Sequence, residues 1–348
     1  MPEKLPSTYK AAVYERSNDP ITIRDVVMPE PGHDEVLVKV LFSGVCHSDL
    51  HGWKGDFPKE MPFKYPIVGG HEGSGIVVKL GSNVTNLKLN DKVGIKWMGK
   101  CCKNCVYCRK SLESSCLDPV YNGFYCDGTF QQYAIANALE VIPLPDEINM
   151  AEAAPLFCAG MTVYRGLLET NLKAGETIAI VGCGGGLGSI AAQFAKAMGF
   201  HIIGIDLKSK KHLCEAVGVE HFISADSDVP KQILELTGLG AHAVLNVATS
   251  TAAIEASLNY VRPRGTVILI GLPAGAIKVD LFSTIMRCIT PGPSLVGNRQ
   301  DAIDALDFMK RGLVKVPIEL HTLKDLPEIF EKMERGEITG RAVIDLWK

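Results

Sequence analysis

The chain has 348 residues, 47% of them apolar and 22% charged, and carries a formal net charge of −3. That length exceeds what one ordinary core organises, so two domains are expected. The slightly acidic balance offers no basic excess to neutralise phosphates, which argues against a nucleic-acid partner. No apolar run approaches the ~18 residues that span a bilayer.

The opening residues MPEKLPSTYKAAVYER have neither an apolar signal core nor Arg-rich amphipathic character, so no targeting segment is expected. Eleven cysteines without a signal peptide point to reduced thiols and metal ligands in a reducing compartment, the cytoplasm. The first 155 or so residues carry Pro, Gly and short strand-like runs, such as 35–42 and 75–80, between charged loops. This reads as an irregular, mostly β domain.

Polar residues crowd the end of the run VLVKVLFSGV, where Cys46, His47, Ser48, Asp49 and His51 follow one another closely. His71 lies between Gly70 and Gly73 and is followed by Glu72, and Cys158 stands alone in LFCAG. Taken singly, a Cys is most often a small buried apolar residue. Together, two thiolates and one imidazole would leave a fourth position open, the coordination of a catalytic zinc. Spacing alone does not bring these three together.

Cys102, Cys105, Cys108 and Cys116 form a denser group, with intervals of two, two and seven residues in one short loop. Four thiolates at such spacing suit a closed, tetrahedral structural zinc site. The lobe that carries it is expected over about 98–118.

A different pattern starts near Phe157. The β-branched run Thr177–Val181 reads as a buried parallel strand. A glycine turn follows: Gly182, Gly184, Gly185, Gly186, Leu187 and Gly188, with Cys183 inside it. Residues 189–198 have helical periodicity, with Gly199 at the stop, and a second apolar run over 201–205 ends on Asp206. Strand, glycine turn, helix, strand and acid are the elements of a dinucleotide site. The pyrophosphate sits at the helix N-terminus and the acid accepts from the ribose hydroxyls.

The glycine spacing is one residue longer than G-x-G-x-x-G, so the context carries the reading. Asp206 would repel a 2′-phosphate, which favours NAD over NADP. Strand-like runs at 243–247 and 266–270 alternate with helical segments Val229–Thr237 and 252–260, the pattern of a doubly wound parallel sheet. The expected division is 1–155 with 298–348 for the β domain, and 156–297 for the Rossmann-type α/β domain. The last fifty residues return to helix at 301–311 and 326–336, and end on a strand at 342–346.

The segments GVCHSDLHGW, PIVGGHEGSG, DGTFQQYA, CAGMTVYRGL, GGLGSIAAQFAKAMG, AIEASLNYVRPRG, MKRGLVKVPI and PEIFEKMERGEITGR, together with the cysteine lobe, run colinearly through the chain. In these the sequence resembles the zinc-dependent medium-chain alcohol dehydrogenases, most closely those of yeasts and other fungi. The resemblance implies a GroES-like catalytic domain beside the Rossmann domain, two zinc ions per chain, and NAD. The implied reaction is reversible oxidation of short primary alcohols to aldehydes by hydride transfer, in a homotetramer or a dimer.

It further implies that Cys46, His71 and Cys158 hold the catalytic zinc, with Glu72 just behind it and Asp49 orienting the His71 ring. Ser48 would bond the substrate oxygen, and His51 would end a proton relay. His47 and Arg341 would meet the cofactor pyrophosphate, and Lys211 the adenosine ribose. Trp53, Phe57, Trp97 and Leu272 would line the substrate pocket. Cys101, Cys126, Cys183, Cys214 and Cys288 receive no role.

Ser48 and Phe57 stand where many yeast-type enzymes have Thr and Trp, which implies a wider pocket. Pro291 and Pro293 argue against a central strand at their positions. The strand that joins subunits in the family is therefore expected to shrink to about 294–297. Two other readings stay open. One is a zinc-dependent secondary-alcohol or polyol dehydrogenase. The other is a zinc module that contacts nucleic acid or protein, against which the acidic net charge and the second ligand set both count.

Overall fold

The computed structural model describes residues 5–57, 61, 63–273 and 275–348. The chain divides into two compact units: Met1–Cys158 with Asn298–Leu306 and Val316–Lys348, and Ala159–Gly297 with Asp307–Lys315.

The first unit is a β domain of GroES-like type. Its longest strand is Glu35–Gly44, with Val36, Leu37, Val38 and Val40 fully buried. One side of this strand pairs antiparallel with Glu72–Leu80. Along its other side, Tyr133–Asn137 pairs with the first half and the final strand Arg341–Asp345 with the second half.

The register aligns Gly44 with Glu72 and also with Val343. Three distant segments therefore meet at one strand end, two residues before Cys46. Both central strands run further toward that end than the sequence pattern suggests: the first continues to Gly44 and the second starts at Glu72. A separate sheet of Thr22–Val27, Thr8–Tyr14 and Ile67–Val68 closes over the same core.

The second unit is a Rossmann-type parallel sheet. Among the described residues its six strands run in the order His221–Ser224, His201–Asp206, Thr177–Val181, Ala241–Asn246, Val261–Leu269, Thr290–Pro293. Numbered along the chain, that order is 3-2-1-4-5-6, the doubly wound arrangement that reverses direction beside its first strand. Every pairing is parallel. Crossover helices have their stops and starts written locally: Asp228 caps Val229–Thr237 by accepting from the Lys231 N–H, and Ser250 caps Thr251–Tyr260 by accepting from the Ala253 N–H.

The prolines near the end of this unit require a correction. The last strand is Thr290–Pro293 itself, not 294–297, and it contains both prolines. Among the described residues it is an edge strand, paired parallel with Val261–Leu269 on one side alone. The Ser294 N–H donates to the Leu269 carbonyl at 3.0 Å. In a parallel strand alternate residues face opposite sides, so Thr290, Gly292 and Ser294 face the sheet. Pro291 and Pro293, which lack an N–H, fall on the open side.

Candidate active site

Cys46 stands at the start of the helix His47–Lys54, directly beyond the strand end described above. Asp49, one turn into that helix, is buried and organises what surrounds it. Its Oδ2 accepts from the Cys46 N–H at 2.9 Å. Its Oδ1 accepts from the Gly70 N–H at 3.2 Å and lies 2.8 Å from His71 Nδ1. With Nδ1 occupied, the His71 ring presents Nε2. Cys46, His71, Glu72 and Cys158 each offer a ligand atom, and those atoms lie within 4.8 Å of one another.

The donor set fits a dication. Cys158 beside it, and then His71, hold the Cys46 thiol well below its usual pKa, against the effect of burial. The Cys158 thiol is pushed well up by its contact with Cys46 and by burial. Burial opposes a charged His71 ring, but Asp49 and the Cys46 sulfur carry its pKa well above the usual value. Two thiols and an imidazole thus compete for charge in a dry site, a conflict that a bound Zn²⁺ removes.

Glu72 is fully buried, which pushes its carboxyl up to about 7 despite Arg341. Arg341 donates to both Glu72 oxygens, at 2.6 and 2.7 Å. Its buried Nε has no protein partner among the described residues.

Around this centre lies an aromatic wall that joins the expected Phe57 and Trp97 to Phe63 and Phe124, which the sequence does not single out. Phe124 meets the His71 ring edge-on at 5.8 Å, and its other neighbours are Phe57, Phe63 and Trp97. Phe57 also lies against His51, at 6.4 Å. Trp97 stacks on Tyr121 at 3.8 Å. Trp53 is placed differently: it packs on Phe330 and donates its indole N–H to the Asp19 carbonyl. His51 Nδ1 lies 3.0 Å from Asp56 Oδ2. His47 is exposed and Ser48 half-buried, both in the first turn of the helix. A cavity of about 480 Å³ in the same unit, lined by Tyr9, Asn122, Cys126 and Asp127, contains none of these ligands.

The four lobe cysteines also bring their sulfurs within 4.8 Å of one another. Backbone N–H groups point at them: Cys105 to the Cys102 sulfur, Cys108 to Cys105, and Cys102 and Asp118 to Cys116. Such donors stabilise thiolates, and the Cys108 N–H leads the effects that bring Cys105 down to about 6. Behind the lobe, Cys101 donates to Glu140 at 3.1 Å, and Glu140 is paired with buried Lys96 at 2.7 Å.

In the second unit, Gly182 has φ +83 and turns the chain out of the strand Thr177–Val181. Gly185 caps the helix Gly186–Ala197, which starts three residues earlier than its periodicity suggests and takes in Leu187. A Cβ at Gly188 would lie 2.1 Å from the Gly182 carbonyl oxygen, so that close approach requires glycine. Asp206 ends its strand and accepts from the Gly184 N–H at 2.7 Å. Lys211 is exposed and paired with Glu215 at 3.6 Å, and Leu272 is 58% exposed.

Comparison with known proteins agrees with this architecture. Residues 32–146 match the alcohol dehydrogenase GroES-like domain, and residues 186–311 match the zinc-binding dehydrogenase domain. An alcohol dehydrogenase from the hyperthermophilic archaeon Aeropyrum pernix is 32% identical, with 97% of this chain and 100% of that chain covered and a TM-score of 0.90. An acetophenone reductase from Geotrichum candidum, solved with NAD, is 31% identical over 99% of both chains, with a TM-score of 0.88. CAD from Helicobacter pylori, solved with NADP(H), is 25% identical over 98% of this chain and 99% of that one, at 0.87. No helix among the described residues is long and apolar enough to cross a membrane. With both domains matched in order and full-length relatives above 30% identity, the chain belongs to the zinc-dependent medium-chain alcohol dehydrogenases.

Proposed function

We propose that the protein oxidises short primary alcohols to aldehydes with NAD, reversibly, and holds two zinc ions per chain. The observation that carries this reading is the convergence of Cys46, His71 and Cys158, with Glu72 held back by Arg341. A carboxylate already paired with a guanidinium leaves three ligands and an open position, the layout of a catalytic rather than a closed site. A zinc ion held by Cys46, His71 and Cys158 would supply Lewis acidity toward an alcohol oxygen, and bound NAD would supply the hydride acceptor.

The chain's own groups do the rest. Asp49 fixes the His71 tautomer, so that Nε2 faces the ligand set. Ser48 bonds the substrate hydroxyl. His51, steadied by Asp56, passes the proton to solvent. Phe57 and Trp97, with Phe124 between them, shape an apolar pocket beside the ligand set. Asp206 takes the adenosine ribose with Lys211, and its charge disfavours a 2′-phosphate. His47 and Arg341 meet the pyrophosphate, a role that suits the unpartnered Arg341 Nε. The cysteine lobe holds the second zinc and contributes folding energy. On the same resemblance we read the protein as a cytoplasmic homotetramer, with a dimer as the simpler alternative.

The test has two parts. Elemental analysis of active protein should find two zinc ions per chain; one or none would sink the two-site reading. Reduction of NAD should be followed with ethanol, butanol, hexanol, 2-propanol and 1-phenylethanol. Activity across the primary series is expected, because Ser48 and Phe57 widen the pocket and one methylene is worth ~1–3 kcal/mol of discrimination. A second reading, oxidation of secondary alcohols, is favoured by the acetophenone reductase relative at 31% identity. It prevails if kcat/KM is highest with 1-phenylethanol.

A further inference from the structure

Nine of the eleven cysteines are accounted for by the two ligand sets, by the hydrogen bonds of Cys101 and Cys126, or, for Cys288, by exposure. The remaining two, Cys183 and Cys214, are fully buried and face one another across 31 residues of sequence. Cys183 lies in the glycine turn, and Cys214 on the helix Lys211–Ala216. Their sulfurs are 2.6 Å apart.

Two distances within this same molecule show what that means. In the metal lobe, the Cys102 and Cys108 sulfurs are 3.9 Å apart, close to the edge of about 3.8 Å that a tetrahedral zinc with 2.3 Å bonds requires. The Cys183–Cys214 distance is too short for a shared metal and only slightly longer than a disulfide bond of about 2.05 Å. The slot that permits it is made by two glycines: a Cβ at Gly204 would lie 2.5 Å from the Cys183 sulfur, and one at Gly184 would lie 3.3 Å from the Cys214 sulfur.

We propose that Cys183 and Cys214 are a redox modification site, a dithiol that hydroperoxides convert reversibly to a disulfide. The thiolate of one cysteine attacks the peroxide oxygen, giving a sulfenic acid and releasing an alcohol, or water from hydrogen peroxide. The second thiolate attacks the sulfenic sulfur, the S–S bond forms, and water leaves. Two thiols lose two electrons and two protons in all, and the peroxide O–O bond accepts them. The bond ties the glycine turn to the helix that follows the Asp206 strand, with little movement of either. Burial, with each sulfur beside the other, makes the reaction slow in the closed state. The short helix carrying Cys214 is the element whose opening admits the oxidant.

The test uses the full-length zinc-loaded protein, exposed to hydrogen peroxide, quenched with catalase, alkylated in denaturant and digested with trypsin without reductant. Cleavage at lysine places Cys183 in peptide 174–196 and Cys214 in peptide 212–231. The expected product, in the majority of chains, is these two peptides linked and lighter than their sum by two hydrogens. Zinc content should be unchanged, and dithiothreitol should separate the peptides. Cys183→Ala and Cys214→Ala should each abolish the linked species, but the wild-type result alone decides the matter. Recovery of both peptides separately alkylated, after exposure long enough to oxidise Cys288 to the sulfinic acid, would overturn the proposal. So would either cysteine linked to a third.

Discussion

Asp49 ties together the segments that carry Cys46 and His71, although it is not itself one of the clustered ligand residues. Three groups bond to it, from Cys46, Gly70 and His71, and it is 1% exposed. Asp49→Ala leaves two backbone donors and an imidazole nitrogen unpaired in a dry site. It is expected to cost about 3–5 kcal/mol of stability and to weaken the affinity of the catalytic zinc by roughly 10–100-fold. Urea unfolding and a competitive zinc titration would check both, and unchanged zinc affinity would remove Asp49 from the site. Asp206 allows a cleaner separation of effects. Asp206→Asn can still accept the Gly184 N–H, so the turn keeps its bond while the charge goes. The ratio of kcat/KM for NADP over NAD should rise by about 1–3 kcal/mol in equivalent free energy. An unchanged ratio would detach Asp206 from coenzyme choice.

Secondary structure was legible where periodicity and punctuation coincide. The strand Thr177–Val181 and the helix Val229–Thr237 have the same bounds in the sequence and in the structure. The helix after the glycine turn began earlier than expected because glycine masks a helix start. What the sequence could not show was register: nothing local says that Gly44 lies opposite Glu72, or that Arg341 comes to hold it. Phe124 escaped notice for the same reason, since an aromatic in a loop declares its contacts only after folding. The buried pair of Lys96 and Glu140 was equally invisible, yet it supports the metal lobe through Cys101. Burial lowers the Lys96 pKa against the pull of Glu140, while Lys96 overcomes burial to hold the Glu140 carboxyl below its usual range. The contribution of Glu140 is therefore present above the unfolded carboxylate pKa and lost as pH falls through the folded one. Lys96→Met leaves a buried carboxylate unpaired and should cost about 3–5 kcal/mol near neutrality, whereas Lys96→Met with Glu140→Gln should cost far less. Equal losses in the single and double variants, measured by denaturant unfolding, would show that the two residues do not act as a pair.

At the scale of the whole molecule, the open edge of the parallel sheet limits what a strand from a second copy could pair with. A bare edge strand normally offers alternating N–H and C=O groups to any second strand. Here the outward positions are Pro291 and Pro293, so the edge keeps acceptors and loses both of their donors. Two such edges brought together around a two-fold axis would lack the same donors on each side. Assembly through this strand must then rely on side-chain contacts, with a weaker ladder than an unblocked strand would give. Replacing both prolines with valine restores two outward N–H groups and keeps a strand-forming residue at each place. The Pro291→Val/Pro293→Val variant should therefore stay assembled to lower concentration than the wild type, and exchange subunits more slowly. Each interstrand hydrogen bond gained across the edge is worth about 0.5–1.5 kcal/mol. Two per copy would move the midpoint of dissociation by more than tenfold. Mass photometry across a dilution series reads that midpoint directly. If wild type and variant show the same mass distribution at every concentration, this edge takes no part in assembly.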